Sequence, residues 1–149
     1  MTDVAKVTKS DAGLASELRT CVVRLRRRLV HEIDPANTLS IGAMAVLGCL
    51  FRKGEPLQIG ELAAHERVRP PSMTRTVNAL EEQGYVLRRT DENDARLVLV
   101  ELSEKGKDTL LADRRRRDAW LAQRLRDFTA EERAVLREAV VLMERLAQS

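Results

Sequence analysis

The sequence predicts a mainly α-helical fold with one small β-hairpin. Apolar residues recur every three or four positions in six separate stretches, the spacing that places them on one face of a helix. Between the fourth and fifth stretches, "YVLRRT" and "RLVLVEL" read as two strands around a polar tip. The hydrophobic fraction is 44% and the aromatic fraction only 3%, so aliphatic side chains must form most of the core.

The first two helices are separated by a clear break. The first ten residues are polar, and we expect them to be disordered. An apolar stripe then runs from Asp11 to about Ile33, until "DPANT" interrupts it. Ser40 is a suitable N-cap for the second helix, "SIGAMAVLGCLFRK", which Gly54 ends. Because this helix is almost entirely apolar, we expect it to lie at the centre of the domain.

A short third helix and a fourth helix come before the hairpin. Gln58 and Glu61 form a partial capping box at the start of the third helix. "RVRP" then turns into the fourth helix, with Pro70 at the first helical position, and Gly84 ends it. Two short helices joined by a tight turn and followed by a hairpin form a winged helix-turn-helix. We expect this domain to span residues 40–102.

Two long helices follow the hairpin. They are predicted at about Lys105–Arg126 and Thr129–Ala147, the second opened by Thr129 with two glutamates close behind. Together with the first helix, they carry more apolar surface than one small winged domain can cover. We therefore expect residues 11–39 and 103–149 to be dimerisation helices that associate with a second copy of the chain.

Net charge does not by itself indicate a nucleic-acid partner, because it is only +3 and is unevenly distributed. Residues 55–102, which would contact DNA, hold six basic and nine acidic side chains. Within this segment, however, three arginines and no acid lie between Arg67 and Asn78. Glu81 and Glu82 follow at the far end of the fourth helix. A helix that enters a major groove by its N-terminus needs this polarity.

The fourth helix has two faces. At about 100° per residue, Met73, Val77 and Leu80 share its apolar side. Arg69 has no oxygen to cap the first N–H groups, so we expect those donors to be open to water or to a phosphate. The polar side suits base contacts, since Arg can read guanine, Asn can read adenine, and Ser and Thr can reach bases or phosphates. Its members are Pro71, Thr74, Arg75, Asn78 and Glu82.

The segment from Leu57 to Gly106 resembles the MarR family of bacterial transcriptional regulators. The matching landmarks are Glu61-Leu62-Ala63, Pro70…Thr74-Arg75, Leu80-Glu81…Gly84, Arg88-Arg89, Asp94-Ala95-Arg96 and "VELSEKG". The flanking helices match in place and length, so the resemblance covers about residues 11–147. It implies a winged-helix homodimer that binds pseudo-palindromic operators, usually as a repressor released by small aromatic or phenolic ligands.

The resemblance also implies a set of DNA contacts. The side chains that would face the major groove are Ser72, Thr74, Arg75 and Asn78. Arg96 would enter the flanking minor groove. Asp94 would hold Arg96 by a charge-assisted bond. The tip "DEND" departs from the family, because Asp91-Glu92 stands where Asp-Pro is common and brings three acids near DNA. The expected contact residues are Arg69, Pro71, Ser72, Thr74, Arg75, Asn78, Arg88, Arg89, Asp94 and Arg96.

An effector pocket is implied between the first, second and fifth helices and the winged domain. His31, Met44, Leu47 and Trp120 would line it, although such helical positions more often pack in a core or lie at the surface. A lone His31 makes no metal site, and we expect no cofactor. No nucleophile–base spacing, phosphate loop or metal cluster indicates an enzyme.

Two further features have plain structural interpretations. Cys21 and Cys49 lie in apolar helical patterns with no CxxC pair, so we expect buried, reduced thiols. A redox-sensing regulator is the alternative, and it would need a thiol of lowered pKa. The run "DRRRRD" at Asp113–Asp118 winds around a helix, which predicts a solvated face with internal ion pairs.

Location and function class follow from these observations. No apolar run reaches the roughly 18–20 residues of a membrane span, and the N-terminus lacks a signal peptide's apolar core. We expect a cytoplasmic bacterial protein that is nucleoid-associated when bound to DNA. The basic helix tip and the wing arginine favour a DNA-binding regulator. In the alternative, a winged-helix module that binds protein, Arg75 and Arg96 would be incidental.

Overall fold

The computed structural model describes residues 8–149 and confirms a mainly helical fold with a small antiparallel sheet. The helices are α1 (Asp11–Val30), α2 (Ile41–Lys53), α3 (Ile59–Glu66), α4 (Pro70–Glu82), α5 (Glu104–Leu125) and α6 (Ala130–Gln148). The strands are β1 (Leu57–Gln58), β2 (Val86–Thr90) and β3 (Val98–Leu102). The expected disorder of the N-terminus falls, for residues 1–7, outside the described residues.

The chain divides into two compact units, with the boundary inside α5. Residues 34–115 form the winged unit, which holds α2, α3, α4, the sheet and the start of α5. Of the described residues, the terminal unit consists of residues 8–33 and 116–149. The winged unit therefore includes the predicted winged domain together with the segment that precedes α2.

Helix α2 provides much of the core of the winged unit. The Ser40 hydroxyl accepts the Ala43 N–H at 3.1 Å, and Gly54 ends the helix in the left-handed conformation at φ 69°. Six of its 13 residues are buried, as its apolar sequence predicts. Burying one large aliphatic side chain stabilises the fold by about 1.5–3 kcal/mol. The core consists of Ala43, Val46, Leu47, Cys49, Leu50, Leu57, Leu62, Ala63, Met73, Val77, Leu80, Tyr85, Val86, Val100 and Leu110.

The sheet has three antiparallel strands in the order β1–β3–β2. Strand β2 begins one residue later than predicted, because Tyr85 belongs to a turn. Strand β3 begins two residues later than predicted, because Arg96 belongs to a turn. Strand β1 was not predicted. It is only two residues long and pairs Leu57 with Val100, and two residues show no periodicity in a sequence.

Gly106 determines how α5 can leave the sheet. The Ser103 hydroxyl donates to the Gly84 carbonyl at 2.6 Å and accepts the Gly106 N–H at 3.0 Å. A Cβ on Gly106 would lie 2.1 Å from the carbonyl oxygen of Tyr85. No side chain fits there unless the backbone moves, so this close approach accounts for the glycine in "SEKG".

Asp113 corrects the prediction for the run "DRRRRD". Its carboxylate is fully buried and accepts hydrogen bonds from the Asp34 N–H at 2.9 Å and from Asn37 Nδ2 at 2.6 Å. Both donors precede α2, so this charge anchors that segment instead of facing water. The Arg114 guanidinium lies over the Phe51 ring, 4.7 Å from its centroid. Among residues 8–149, no ion pair joins members of the run.

Helices α1 and α6 leave their apolar side chains exposed. A capping box between Thr129 and Glu132 opens α6, as the sequence signal predicts. Neither helix contains a buried residue in the described chain. The exposed large apolar side chains are Leu14, Val22, Val23 and Leu25 on α1, and Val135, Leu136, Val140, Val141, Leu142, Met143 and Leu146 on α6. The predicted surplus of apolar surface is therefore present.

The two thiols have different environments. Cys49 is buried as predicted, and burial raises the pKa of its thiol, with a further increase from the nearby Glu66 carboxylate. A sensing thiol needs the opposite shift, so Cys49 does not suit that role. The prediction that Cys21 is buried is wrong, because the apolar stripe that contains it is uncovered in the single chain.

Candidate nucleic-acid interface

The turn from α3 into α4 presents exposed arginines. Helix α3 ends at Arg67 in the left-handed conformation, at φ 53°, and Val68 then donates its N–H to the Ala63 carbonyl at 3.0 Å. Arg69 follows as the residue before α4, and Arg75 lies on its second turn. Among the described residues, none of these three arginine side chains has a hydrogen-bond or ion-pair partner. Their positive charges are available to an external anion.

The first turn of α4 offers fewer N–H donors than predicted. No side chain caps it, as expected from Arg69. However, its first two residues are Pro70 and Pro71, which have no N–H. The N–H groups of Ser72 and Met73 both donate to the Arg69 carbonyl, at 3.0 and 3.1 Å. The prediction of open donors for a phosphate is therefore wrong, and anion attraction rests on the arginine side chains and the helix dipole.

The two faces of α4 are separated as predicted. Met73, Val77 and Leu80 are buried in the core of the winged unit. The Thr74 hydroxyl donates to the Pro70 carbonyl at 3.0 Å, which leaves its oxygen as an acceptor. Ser72 and Thr74 are half-buried, while Pro71, Arg75 and Asn78 are exposed. The polar face is thus partly or fully accessible along the first half of the helix.

Arg88 and Arg89, both expected to contact DNA, are bound by groups of the chain itself. The Arg88 guanidinium forms an ion pair with Glu81 and also donates from Nη2 to Oδ1 of Asn78. The Nε of Arg89 lies 3.5 Å from a Glu101 carboxylate oxygen. Sequence spacing could not show these partners, because each contact joins different elements.

Two aspartates organise the wing tip. Oδ1 of Asp94 accepts the backbone N–H and the Nε–H of Arg96, both at 3.0 Å, so the predicted clamp is confirmed. Hydrogen bonds from Arg96 hold the pKa of the Asp94 carboxyl below its usual range. The Arg96 side chain nevertheless remains 90% exposed. Asp91 accepts the N–H groups of Asn93 and Asp94, so this acid shapes the turn. Glu92 has no partner among the described residues.

The residues expected to line an effector pocket have different surroundings. Leu47 is fully buried in the core, and Met44 is partly buried against it. His31 is exposed at the C-cap of α1. Trp120 is half-buried and lies beneath two guanidinium groups, 5.1 and 5.4 Å from its ring centroid. The effector pocket at these four residues stays a prediction.

A cleft that sequence reasoning did not find lies beside α4. Its volume is about 510 Å³, and it separates α4 from the segment that leads into α2. Its lining consists of Thr38, Leu39, Ser40, Ala43, Ser72, Arg75, Thr76, Ala79, Leu80 and Gln83. A small molecule in this cleft would contact two side chains expected to bind DNA, Ser72 and Arg75. The two sides of the cleft are distant in sequence, so no local pattern indicates it.

Comparison with known proteins identifies a family and solved structures to which this chain is similar. The MarR family profile matches residues 39–98. An HTH-type transcriptional regulator of Mycobacterium bovis is 43% identical over 134 residues, which are 90% of this chain and 92% of the relative. A crystal structure of a transcriptional regulator from Pseudomonas aeruginosa is 34% identical, with TM-score 0.83, covering 93% of this chain and 96% of that one. A mutant of S. aureus MepR, solved bound to an oligodeoxyribonucleotide, shares the fold at 15% identity, TM-score 0.67, over 90% and 97% of the chains.

The winged helix-turn-helix and these relatives define a transcriptional regulator and not an enzyme. The chain belongs to the MarR family, which confirms the resemblance read from its motifs. Within residues 8–149, no group of three or more His, Cys, Asp or Glu side chains could hold a metal ion. Over the same residues, no helix is long and apolar enough to cross a membrane.

Proposed function

We propose that the protein binds a pseudo-palindromic operator in duplex DNA through α4 and the wing. The observation that carries this proposal is which arginine side chains of the winged unit are exposed and which are paired with acids. Within residues 8–149, Arg69 and Arg75 are exposed without partners, and Arg96 is clamped yet 90% exposed. Meanwhile Arg88 forms an ion pair with Glu81, the acid nearest to the polar face of α4 in sequence. Among the described residues, these unpaired arginines therefore lie at the N-terminal half of α4, whereas the exposed acids Glu82 and Glu92 lie at the far end of α4 and at the wing tip.

The proposed operator contacts divide between the two grooves. Arg75 and Asn78 would reach base edges in the major groove, with Ser72 and Thr74 on bases or phosphates. Arg96 would enter the minor groove, where a narrow groove concentrates negative potential. The MepR mutant bound to an oligodeoxyribonucleotide supports this use of the shared fold.

We propose that the active species is a homodimer. Helices α1 and α6 expose apolar side chains that nothing in the described chain covers, and a second copy offers a self-complementary surface. A two-fold dimer reads two half-sites whose centres lie about one helical turn, about 10 base pairs, or a multiple apart. This symmetry is the physical reason to expect a pseudo-palindrome.

We propose that the dimer acts as a repressor and that a small aromatic or phenolic ligand releases it. The cleft of about 510 Å³ beside α4 supports this step, because its lining includes Ser72 and Arg75. A ligand there would compete with DNA for the same side chains. Phenol and benzoate should weaken operator binding, and Thr38→Phe, which fills the cleft away from α4, should remove that response. An unchanged response in Thr38→Phe would contradict this location.

The proposed function is tested by selecting binding sites for the purified protein from random duplex DNA. We expect an enriched inverted repeat with the spacing given above. Arg75→Ala is the matched variant, and its selected sites should lose information at one base pair per half-site. If no sequence is enriched, the protein-binding alternative is favoured, and the exposed Leu87 and Val98 of the hairpin become the surface to examine.

A further inference from the structure

We infer that Arg88 fixes the orientation of the Asn78 amide, so that Asn78 offers only hydrogen-bond donors to the major groove. This inference rests on the proposed function and adds a rule of sequence specificity to it. An unconstrained Asn pairs best with adenine, to which it donates and from which it accepts. The constrained Asn78 should instead prefer a base edge that presents acceptors, which is guanine.

The geometry consists of one arginine that holds two side chains of α4. Asn78 and Glu81 lie three residues apart on α4, and Arg88 reaches them from β2. One guanidinium nitrogen contacts the Glu81 carboxylate, and the other donates to Oδ1 of Asn78. The Arg88 side chain is only 26% exposed, whereas the Asn78 residue remains exposed.

The orientation of the amide follows from chemistry. A guanidinium carries five N–H donors and no acceptor, so only the oxygen of Asn78 can face Arg88. The two N–H groups of Nδ2 then remain for an external acceptor. Glu81 strengthens this arrangement, because its carboxylate holds Arg88 in place by a charge-assisted bond.

This orientation changes which base Asn78 can recognise. Bidentate contact with adenine needs Oδ1 to accept from the N6 amino group while Nδ2 donates to N7. Here Oδ1 already accepts from Arg88, and a base amino group would approach that oxygen beside a positive charge. Guanine presents two acceptors, thymine one acceptor, and cytosine a donor. We expect Asn78 to favour guanine, then thymine, then adenine, and to disfavour cytosine.

The neighbouring residue supplies a matched control. Arg89 is also a strand arginine held by an acid, with its Nε 3.5 Å from Glu101, but it has no bond to α4. Arg88→Met and Arg89→Met remove the same charge and keep a side chain of similar length. Only Arg88→Met frees Oδ1 of Asn78 from its hydrogen bond.

The experiment starts from the selected operator and measures affinity for duplexes that carry each of the four base pairs at one position. That position is the pair at which Asn78→Ala relaxes the preference. Compared with the wild-type protein, the Asn78→Ala variant should bind the guanine duplex about tenfold more weakly and the adenine duplex at most about twofold more weakly. Arg88→Met should gain about tenfold for adenine relative to guanine. Arg89→Met should keep the wild-type order of the four bases, and any affinity that it loses should be lost equally on all four duplexes.

Each result of this experiment either supports or overturns the proposed preference of Asn78 for guanine. A wild-type contribution of Asn78 that is largest on adenine would overturn it, as would an Arg88→Met protein that keeps the guanine preference. If Arg88→Met does not fold, the comparison of wild type with Asn78→Ala over the four duplexes decides alone. Enrichment of an operator at which Asn78→Ala changes no base pair refutes the inference and leaves the proposed function standing. Failure to enrich any sequence refutes the proposed function itself.

Discussion

The winged unit and the terminal helices use apolar residues in opposite ways. Every buried residue of the described chain lies within residues 34–115, around α2 and the sheet. Helices α1 and α6 have comparable apolar stripes but bury none of them in the single chain. The winged unit therefore closes a core by itself, whereas the terminal helices leave their apolar side chains exposed. If the proposed dimer forms through these helices, folding and association reside in separate parts of one chain.

The largest expected effect comes from placing charge on the uncovered stripe. Leu136→Asp combined with Val140→Asp should abolish association, because two carboxylates would have to be buried in an apolar interface. Sedimentation should show monomers or insoluble protein. Glu138→Arg, a charge change on another face of α6, should leave the assembly intact. A double variant that sediments as wild type would refute the interface.

Removing the buried carboxylate should damage the winged unit and leave association unchanged. Asp113→Ala deprives the Asp34 N–H and Asn37 Nδ2 of their acceptor, which should cost about 2–4 kcal/mol in free energy of unfolding. Asp108→Ala, an exposed aspartate on the same helix, should change stability by less than about 0.5 kcal/mol. Denaturant unfolding monitored by circular dichroism measures both. Equal effects in the two variants would contradict the anchoring role.

A smaller effect is expected from Arg75, the unpaired arginine on the polar face of α4. Arg75→Ala should weaken operator binding by about 1–3 kcal/mol and relax one base pair per half-site. Arg52→Ala, which removes an exposed arginine 3.9 Å from Glu66, should preserve base preference. Fluorescence anisotropy on operator and random duplexes separates the cases. Equal losses on both duplexes would assign Arg75 to phosphate contact only.

Replacing Arg96 should change the salt dependence of DNA affinity more than the preference for particular bases. Arg96→Ala should weaken binding and lower the slope of log affinity against log salt by about one, with base preferences in the major groove unchanged. Arg96→Lys should recover only part of the affinity, since an ammonium lacks the planar fork. If Arg96→Ala leaves affinity unchanged in a folded protein, the wing does not read DNA.

The pH dependence of this contact follows from Asp94. Hydrogen bonds from Arg96 lower the pKa of the Asp94 carboxyl, so the clamp is fully present above the usual carboxyl pKa. It is lost only as pH falls through the lowered value. The effect of Arg96→Ala should therefore be constant between about pH 6 and pH 8.

The smallest effect concerns the acids of the wing tip, which differ in their partners. Glu92→Gln should tighten binding to any DNA at low salt by no more than about threefold, because it removes one unpaired negative charge. Asp91→Asn makes the same charge change but weakens the turn, because Oδ1 of Asp91 accepts the N–H groups of Asn93 and Asp94. It should gain less than Glu92→Gln, and a larger gain would contradict the structural role of Asp91.

Local patterns in the sequence predicted what depends on neighbouring residues. The predicted features that involve positions a few residues apart are the helices, the capping box at Gln58 and the Asp94–Arg96 clamp. The order of the helices and the hairpin predicted the winged domain, helical periodicity predicted the polar face of α4, and the family motifs added the expected DNA contacts. These features follow from backbone geometry and near-neighbour chemistry, so they can be read without a fold.

Contacts between distant elements could not be predicted in this way. Asp113 binds Asp34 across 79 positions, and Arg88 reaches back from a strand to Asn78 on a helix. A helical wheel shows which residues share a face but not which neighbour covers that face. The prediction of open N–H groups at the start of α4 is wrong for a different reason. Pro70 and Pro71 have no N–H, and the next two N–H groups donate to the Arg69 carbonyl.

In the proposed dimer, the exposed apolar faces of the terminal helices join two copies of the chain. Sedimentation of the wild-type protein at micromolar concentration, without DNA, distinguishes this dimer from a monomer. We predict a single species with twice the chain mass of 16.8 kDa. A monomer of 16.8 kDa under those conditions would show that these helices do not associate.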